Sequence, residues 1–382
     1  MHSDPIFLDN NGTTLLDPRV LEVMLPYLSN QYGNATSRHS FGRAARQALD
    51  QAREQVAEAC GAHPSQVIFT ASGTEADNFA IAGMAGDEQK QIAVSAIEHP
   101  AITRPAFSMR AHGHRVGIIA ADQFGVVDSY SLEVALEKPT SLISVMLANN
   151  ETGVIQNIAH LAELAKSKGA LIHTDAVQAL GKIPVNFDAL GVNAMTVSSH
   201  KINGPQGAGA LILDKRVDIK PLLHGGGQER GLRSGTENVA AIVGFGAACA
   251  LIKNEMQNRA KITQELRDTL ETNLKSLGAS IFGDKAARLP NTSFFAFNQI
   301  EGETLVMALD RKGFAVASGS ACSSDSTEPS HVLMSMGVAP DLARGAVRVS
   351  FGANNTHEQL NTFLGVIKNE VSRLRELTAV TI

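Results

Sequence analysis

Short apolar strands alternate with helical segments from about residue 43 to 250, and this alternation constrains the fold of the 382-residue chain more than any other feature. Short apolar runs are typical of strands buried on both faces, and the longer amphipathic segments between them are typical of helices. The order predicts an α/β fold with a mostly parallel central sheet whose two faces are covered. The predicted strands are residues 66–70, 91–95, 115–119, 142–147, 170–174, 194–198 and 208–213, and the predicted helices among them are residues 43–59, 75–84 and 158–168.

The remainder of the chain is smaller and mixed in its elements. At ~100–200 residues per domain, a chain of this length predicts two domains. We expect a large domain over residues 15–255 and a smaller α+β domain formed by residues 1–14 together with 256–382. The elements predicted after residue 238 are helices at 239–277, 303–312 and 358–377 and strands at 294–297, 315–317 and 347–351.

Composition limits the partners and compartments that such a chain can use. Its formal net charge of −5 argues against direct binding of nucleic acid, which usually requires a basic surface. No run of ~18 apolar residues is present, so no transmembrane helix is expected. The apolar stretch 6–8, between Asp4 and Asp9, is too short for a signal peptide. The three cysteines, Cys60, Cys249 and Cys322, lack metal-ligand spacing, which predicts no metal site and a reducing, cytoplasmic location.

Several predicted strands end in polar residues, and ligands of open α/β sheets bind at the carboxyl ends of strands. After strand 66–70, Gly73 and Thr74 open a helix, where small residues and the helix dipole favour an anion such as phosphate. Taken alone, an ordinary N-cap turn is the plainer interpretation of the same residues. His99 follows strand 91–95, where a structural histidine is the plainer interpretation.

Two further strand ends carry a carboxylate and a lysine. Asp175, with Gln178 three residues later, could pair with a cationic ring nitrogen or could be an N-cap. Lys201 ends the motif Ser198-Ser199-His200-Lys201 beside a glycine-rich turn. Desolvation there would make Lys201 a nucleophile for carbonyl compounds, although a lysine can also extend to solvent.

Taken together, these groups are what pyridoxal phosphate requires: a Schiff-base lysine, an acidic partner for the pyridinium and donors for the phosphate. Asp175 precedes Lys201 by 26 residues, which is about one strand–helix–strand unit. This spacing predicts that the two residues lie on neighbouring parts of one sheet edge.

The chain also resembles a known family, the cysteine desulfurases of the NifS/IscS type, within the class V aminotransferase superfamily of fold type I pyridoxal-phosphate enzymes. The resemblance extends over nearly the whole chain. Two small departures, Gly12 and Ala35, stand where the family usually has Ala and Pro, and they affect only local loop rigidity. The motifs that carry the resemblance are LDNNGTT at 8–14, NNETG at 149–153, DAVQ at 175–178, SSHKINGP at 198–205, RSGT at 233–236 and RVS at 348–350.

The resemblance implies a homodimer in which Lys201 holds the cofactor. Asp175 would face the ring nitrogen, Gln178 the phenolic oxygen, and His99 would stack on the ring with Asn150 nearby. Arg348, with Asn150, would bind the substrate carboxylate. The phosphate would be held by Gly73, Thr74, Ser198 and His200, helped by Thr236 from the other subunit.

Cys322 distinguishes sulfur transfer from amino-group transfer. From Cys322 through His331 there is no Val, Leu, Ile, Met, Phe, Tyr or Trp side chain, which predicts an exposed loop. A thiol there suits a sulfurtransferase: Lys201 would remove the Cα proton of L-cysteine, with His99 as a proton shuttle, and the Cys322 thiolate would take the sulfur as a persulfide, leaving alanine.

Other functions remain open at this point. A selenocysteine lyase would use nearly the same residues, a class V aminotransferase would need no reactive cysteine, and a catalytically silent assembly partner would need none of the set. The sulfur acceptor is expected to be a protein, such as an iron–sulfur scaffold or an enzyme that thiolates tRNA or DNA.

Overall fold

The computed structural model describes residues 5–86, 90–319 and 328–379 of the chain. Its helices and strands follow the predicted order closely. The strands are β1 Ile6–Phe7, β2 Val67–Thr70, β3 Gln91–Ser95, β4 Arg115–Ile119, β5 Thr140–Ser144, β6 Leu171–Asp175, β7 Ala194–Ser198, β8 Gly209–Leu213, β9 Ala279–Ile281, β10 Thr292–Phe297, β11 Phe314–Ala315, β12 Ala317–Ser318 and β13 Ala346–Ser350. The helices are α1 Pro18–Ser29, α2 Ser40–Cys60, α3 Gly73–Met84, α4 Pro100–Ser108, α5 Ser129–Ala135, α6 Ile158–Ser167, α7 Phe187–Leu190, α8 Val239–Ser276, α9 Gly302–Asp310, α10 His331–Ser335, α11 Pro340–Arg344 and α12 His357–Ala379.

The largest sheet has seven strands in the order β2-β8-β7-β6-β5-β3-β4. β8 runs antiparallel to both of its neighbours, and the other adjacent pairs are parallel. Every residue of β3, β7 and β8 is buried, as expected for strands covered on both faces. The predicted mostly parallel sheet is confirmed.

The helices begin and end where local chemistry requires. Ser72 caps α3 by accepting a hydrogen bond from the backbone N–H of Glu75. α2 ends at Gly61, whose φ of 61° lies in the left-handed region. A side chain at Gly61 would also collide with Asn186, because an added Cβ would lie 2.6 Å from its Cγ atom.

The C-terminal part forms a four-stranded antiparallel sheet in the order β12-β13-β10-β9, and β1 pairs with β11. The single strand predicted at 315–317 is wrong in one respect, because it divides at Val316. Phe314–Ala315 pairs with β1, whereas Ala317–Ser318 pairs with β13. Residues 314–318 thus contribute strands to two different sheets.

α8 connects the two parts of the molecule. Ile252 belongs to the core under the seven-stranded sheet, and Leu266 belongs to the core around β10 and α12. The first core also takes residues from the C-terminal part, including Phe294, so the proposed domain limits stay a prediction.

By length and composition alone α8 could cross a membrane, since an 18-residue window within Val239–Ser276 has a mean hydropathy of 1.4. Half of that window is buried inside the fold. Long core helices of folded proteins have the same composition, and α8 packs against α1 and α2. The expected absence of a membrane span stays a prediction.

Candidate active site

A cavity of about 230 Å³ lies at the carboxyl ends of the central strands. β6 and β7 are adjacent and parallel, which brings Asp175 at the end of one strand beside the polar turn that follows the other. The prediction that Asp175 and Lys201 lie on neighbouring parts of one sheet edge is therefore confirmed. The cavity is lined by Ser72, Gly73, Thr74, Asp77, His99, Ala101, Met146, Asn150, Asp175, Val177, Gln178, Ser198, His200 and Lys201.

Lys201 lies on a short 3-10 turn, Ser199–Lys201, directly after β7. Its Nζ atom donates to the backbone oxygens of Asn11 at 2.5 Å and Gly12 at 2.6 Å. The N-terminal segment thus contacts the functional group of the lysine. Sequence reasoning missed this contact, because the local pattern around Asn11 does not indicate the direction of its backbone carbonyl.

Asp175 is buried, and burial raises the pKa of its carboxyl to about 6 despite the backbone N–H of Val177 and the positive charge of Lys201. The Val177 N–H donates to Oδ1 at 2.8 Å. A buried carboxylate with one free flank at a cavity wall is suited to a cationic partner inside that cavity.

A second carboxylate, Asp77, lines the same cavity and is also buried. Burial and the neighbouring charge of Asp175 raise the pKa of Asp77 well above its usual range. Its Oδ1 atom lies 3.8 Å from Nε2 of His173, a ring that is also bonded to Thr196 and Ser144. Sequence reasoning missed Asp77, although its place four residues after Gly73 on a helix was a usable signal.

His99 caps α4, and its Nδ1 atom accepts the backbone N–H of Ala101 at 3.1 Å. Burial, together with the positive charge of Lys201, lowers the pKa of His99 to about 4. The ring is therefore neutral near pH 7, and its proton lies on Nε2 because Nδ1 is an acceptor. A neutral ring facing the cavity can stack on a planar ligand or pass on a proton.

The N-terminus of α3 forms one end of the cavity. Ser72 accepts the N–H groups of Glu75 and Ala76, which leaves the first turn at Gly73 and Thr74 for a ligand. An added Cβ at Gly73 would lie 3.0 Å from Val177 and 3.3 Å from Ser198, so only glycine fits without displacement. Ser198 Oγ is buried and has no hydrogen-bond partner among the described residues.

These observations fit pyridoxal phosphate. A helix N-terminus, a small-residue cradle and an unpartnered hydroxyl suit a phosphate group. Lys201 suits the carbonyl carbon, and Asp175 suits a cationic ring nitrogen. His200, whose Nδ1 lies 3.0 Å from Thr13 Oγ1, completes the phosphate end of the cavity.

Arg348, on β13, lies beside the cavity rather than in its wall. Its guanidinium donates to the backbone oxygen of Asn150 at 2.9 Å and to the carboxylate of Asp9 at 2.6 Å. Nε is buried and has no partner within the described ranges. Arg348 thus contacts Asn150, which lines the cavity. Sequence reasoning missed Asp9 as a partner of this arginine.

Two predicted residues are not among those described as lining the cavity. Thr236 is exposed in the segment after the turn Glu229–Gly231, away from this chain's own cavity lining. Cys322 lies outside the described residues. The roles predicted for all of these residues stay predictions.

The structure also brings a second lysine to this edge, which sequence reasoning had overlooked. Lys182 Nζ donates to Oε1 of Gln178 at 2.7 Å and to Oδ1 of Asn11 at 3.1 Å. The spacing of four residues from Gln178 to Lys182 was the available signal.

Fold and site together define an α/β enzyme with a partly buried lysine at the strand ends of its sheet. The profile of the Aminotransferase class-V family matches residues 6–363, and the chain belongs to this family.

Two further comparisons extend over almost the entire chain. A cysteine desulfurase IscS from Dictyoglomus turgidum is 42% identical over 378 residues, which cover 98% of this chain and 96% of that protein. The solved structure of a NifS-like protein, 38% identical, superposes with a TM-score of 0.91 over 96% of this chain and 99% of the other.

A third comparison is with a solved structure that contains cysteine. The structure described as SspA in complex with cysteine is 29% identical and has a TM-score of 0.80. It covers 92% of this chain and 100% of the other.

Proposed function

We propose that this enzyme is a pyridoxal-phosphate-dependent cysteine desulfurase, which removes sulfur from L-cysteine and releases L-alanine. The observation that carries the proposal is the single cavity in which Lys201, Asp175 and the α3 N-terminus meet. It is supported by relatives that are named cysteine desulfurases along 98% of the chain.

Each residue has a task that follows from its surroundings. Bound pyridoxal phosphate supplies a carbonyl for the substrate amine and a ring that accepts charge from the neighbouring carbon. Gly73, Thr74, Ser198 and His200 hold the phosphate. Asp175 keeps the ring nitrogen cationic, since a buried carboxylate stabilises a partner of opposite charge.

Proton movement falls to Lys201 and His99. Once the substrate amine has displaced it, the Lys201 amine takes the Cα proton of the substrate. His99 is neutral near pH 7 and carries its proton on Nε2, so it can donate a proton to the carbon that keeps the electron pair when the C–S bond breaks, and be restored by solvent. Arg348 pairs with the substrate carboxylate, for which it must exchange its contact with Asp9.

The sulfur nucleophile is assigned to Cys322 by comparison with the other two thiols. Cys60 and Cys249 are fully buried, and burial raises the pKa of the Cys60 thiol to about 12 and that of Cys249 well above its usual range. Neither is a thiolate near neutral pH, so neither can attack sulfur. In the transfer step the Cys322 thiolate forms an S–S bond to the substrate sulfur, the C–S bond breaks, and its electron pair stays on the carbon side.

A homodimer with shared sites is part of the proposal. Thr236 is exposed and is not among the residues that line this chain's own cavity, so we assign its hydroxyl to the phosphate in the cavity of another subunit. α1, the segment after it and the start of α2 expose large apolar side chains, which marks an interaction surface. The members are Leu21 at 41%, Leu25 at 51%, Leu28 at 63%, Tyr32 at 70% and Phe41 at 50% exposure.

The destination of the sulfur is also proposed rather than observed. A persulfide needs a thiol or thiolate acceptor, and an iron–sulfur scaffold protein or another thiolation enzyme fits that chemistry. A reducing cytoplasmic compartment suits an enzyme whose product is a persulfide.

The deciding experiment is anaerobic incubation of the holoenzyme with L-cysteine, followed by assays of sulfide and alanine in the presence of a thiol reductant. Equal amounts of both products are expected. Transamination would instead convert the cofactor to its amine form and require a keto acid for turnover.

Cys322→Ser separates the two parts of the reaction. Cofactor binding and its absorbance should persist, while sulfide release should fall by at least about 10³-fold because a serine hydroxyl is a poor nucleophile toward sulfur. Cys60→Ser and Cys249→Ser are the matched controls and should retain most activity. Full sulfide release by Cys322→Ser would refute the assignment of the nucleophile.

A further inference from the structure

Lys182 belongs to a buried polar cluster behind the cavity, not to its wall. Its Nζ atom donates to Oε1 of Gln178 at 2.7 Å and to Oδ1 of Asn11 at 3.1 Å. It lines a second, smaller cavity of about 50 Å³, and Lys201 lines both cavities. Lys182 therefore reaches the proposed cofactor only through another side chain.

That side chain is Gln178. Its Nε2 atom donates to the backbone oxygen of Asn11 at 2.9 Å, and its Oε1 atom accepts from Lys182. Both ends of the amide are thus assigned: oxygen toward Lys182, nitrogen toward Asn11. A primary amide nitrogen carries two hydrogens, so one N–H remains for the cavity that Gln178 lines.

The position of that N–H relative to the cofactor follows from the chemistry of pyridoxal phosphate. The backbone oxygen of Asn11 accepts from both Lys201 Nζ and Gln178 Nε2, so the two nitrogens are neighbours. In pyridoxal phosphate, the carbonyl group is attached to the ring between the phosphate-bearing arm and the phenolic oxygen. With the phosphate at the α3 N-terminus and the carbonyl carbon at Lys201, the phenolic oxygen therefore lies on the side of the carbonyl group that faces away from the α3 N-terminus. Gln178 is placed to donate to it.

We infer that Lys182 is a positioning residue for the cofactor, which holds the amide of Gln178 with an N–H group facing the phenolic oxygen. Without Lys182 the amide could rotate and present its oxygen to an oxygen that carries negative charge. The inference rests on the proposed function, because it presupposes pyridoxal phosphate in this cavity.

The charge state of Lys182 does not alter this role. Burial and the nearby charges of Lys201 and Arg348 lower the pKa of Lys182 well below its usual range. A neutral amine still carries two hydrogens, which matches its two acceptors, and an ammonium carries three. Either form donates to Gln178, while an apolar side chain of the same length cannot.

The test uses Lys182→Met, which keeps the length of the side chain and removes the donor. The dissociation constant of pyridoxal phosphate should rise by about three- to tenfold. The pH midpoint of the absorbance change of the bound cofactor should move to higher pH, because a lost N–H donor disfavours the anionic phenolic oxygen. Lys168→Met, an exposed lysine, is the control and should change neither quantity.

A double-mutant cycle decides whether the effect passes through Gln178. In a Gln178→Leu background, Lys182→Met should cause no further shift of the pH midpoint. A full additional shift in that background would overturn the inference, and so would a wild-type midpoint and affinity in Lys182→Met alone. If Lys182→Met does not fold, Lys182→Gln, a shorter donor, should give an intermediate shift, and a midpoint equal to that of wild type would count against the inference.

Failure of this inference differs from failure of the proposed function. If wild-type protein neither binds pyridoxal phosphate nor releases sulfide from L-cysteine, the function itself is wrong. If wild type does both and Lys182→Met matches it, only the role of Lys182 is refuted.

Discussion

The sheet edge at Asp175 and Lys201 and the glycine-rich segment 225–236 are both polar, yet they are constructed in opposite ways. At the sheet edge, burial dominates: Asp175 and His99 have pKa values moved by desolvation, to about 6 and about 4. The glycine-rich segment instead keeps Thr236 exposed to solvent.

Ion pairs hold the segment in place. Glu229 pairs with Arg53 at 2.6 Å and also accepts the backbone N–H of Phe69, and Arg233 pairs with Glu75 on α3 at 2.6 Å. Glu229 and Arg230 adopt left-handed backbone conformations, with φ of 47° and 61°. Such strain persists only where the surroundings hold it.

The difference teaches that the first region brings together, within a single chain, the lysine, the carboxylate and the helix N-terminus that the proposed cofactor needs. The glycine-rich segment is instead held in place by ion pairs and keeps Thr236 facing outward. The second makes sense as a contribution to a site on another subunit. Mutations in the two regions should therefore have effects of different size and different dependence on subunit exchange.

The largest effect is expected for Lys201→Ala. Turnover of L-cysteine should fall by at least about 10⁴-fold, because the change removes both the covalent attachment of the cofactor and the proton acceptor. Borohydride reduction followed by peptide mapping should place the cofactor on Lys201 in wild type. An adduct at wild-type level on Lys182 in the variant would show that the second lysine can serve instead.

Asp175→Asn should have the next largest effect. The amide keeps the shape of the side chain but cannot stabilise a cationic ring nitrogen, so kcat should fall by about 10²-fold. Asp77→Asn is the matched comparison, since Asp77 lines the same cavity. Both losses are measured by steady-state kinetics. An equal loss in the two variants would mean that both carboxylates share the role of partner for the ring nitrogen, and would contradict its assignment to Asp175 alone.

Thr236→Ala tests the shared site directly and should be milder, with the dissociation constant of pyridoxal phosphate raised by about tenfold or less. At a pyridoxal phosphate concentration no higher than the wild-type dissociation constant, mixing this variant with Lys201→Ala should raise activity above either parent. Each mixed dimer would contain one site with an intact Lys201 and an intact Thr236 from the partner. Activity that stays at the average of the parents after subunit exchange would refute the shared site.

The smallest effect concerns Glu98, which lies beside His99 and is fully buried. Burial raises the pKa of its carboxyl to about 8, although Ser95 and the backbone N–H of Met146 donate to it. The folded state thus binds this proton more tightly than the unfolded state. Its contribution to stability is present below the unfolded pKa and is lost as pH rises to about 8.

Glu98→Gln removes that dependence. The free energy of unfolding of wild-type apoprotein should fall relative to the variant between pH 5 and pH 8, with a slope of at most ~1.4 kcal/mol per pH unit. Urea unfolding at three pH values measures the difference. Parallel curves would contradict the prediction, and Glu133→Gln, exposed on α5, is the control.

Local sequence pattern predicted much of the fold. The strands expected at 91–95, 115–119 and 194–198 match β3, β4 and β7 residue for residue. The strand expected at 142–147 is β5 at Thr140–Ser144, because the apolar run continues past the strand end. There the N–H groups of Val145 and Leu147 still bond to residues of β6, so burial extends beyond the ladder.

The sequence by itself determined which polar residues stand at the strand ends, since strand periodicity and polar punctuation are local. Only the tertiary structure determined which distant residues contact them. Asn11 reaches Lys201 across 190 residues, and Arg348 reaches Asp9 across 339. The altered pKa values of Asp175, His99 and Lys182 arise from desolvation by many chain segments at once, and no local pattern carries that sum.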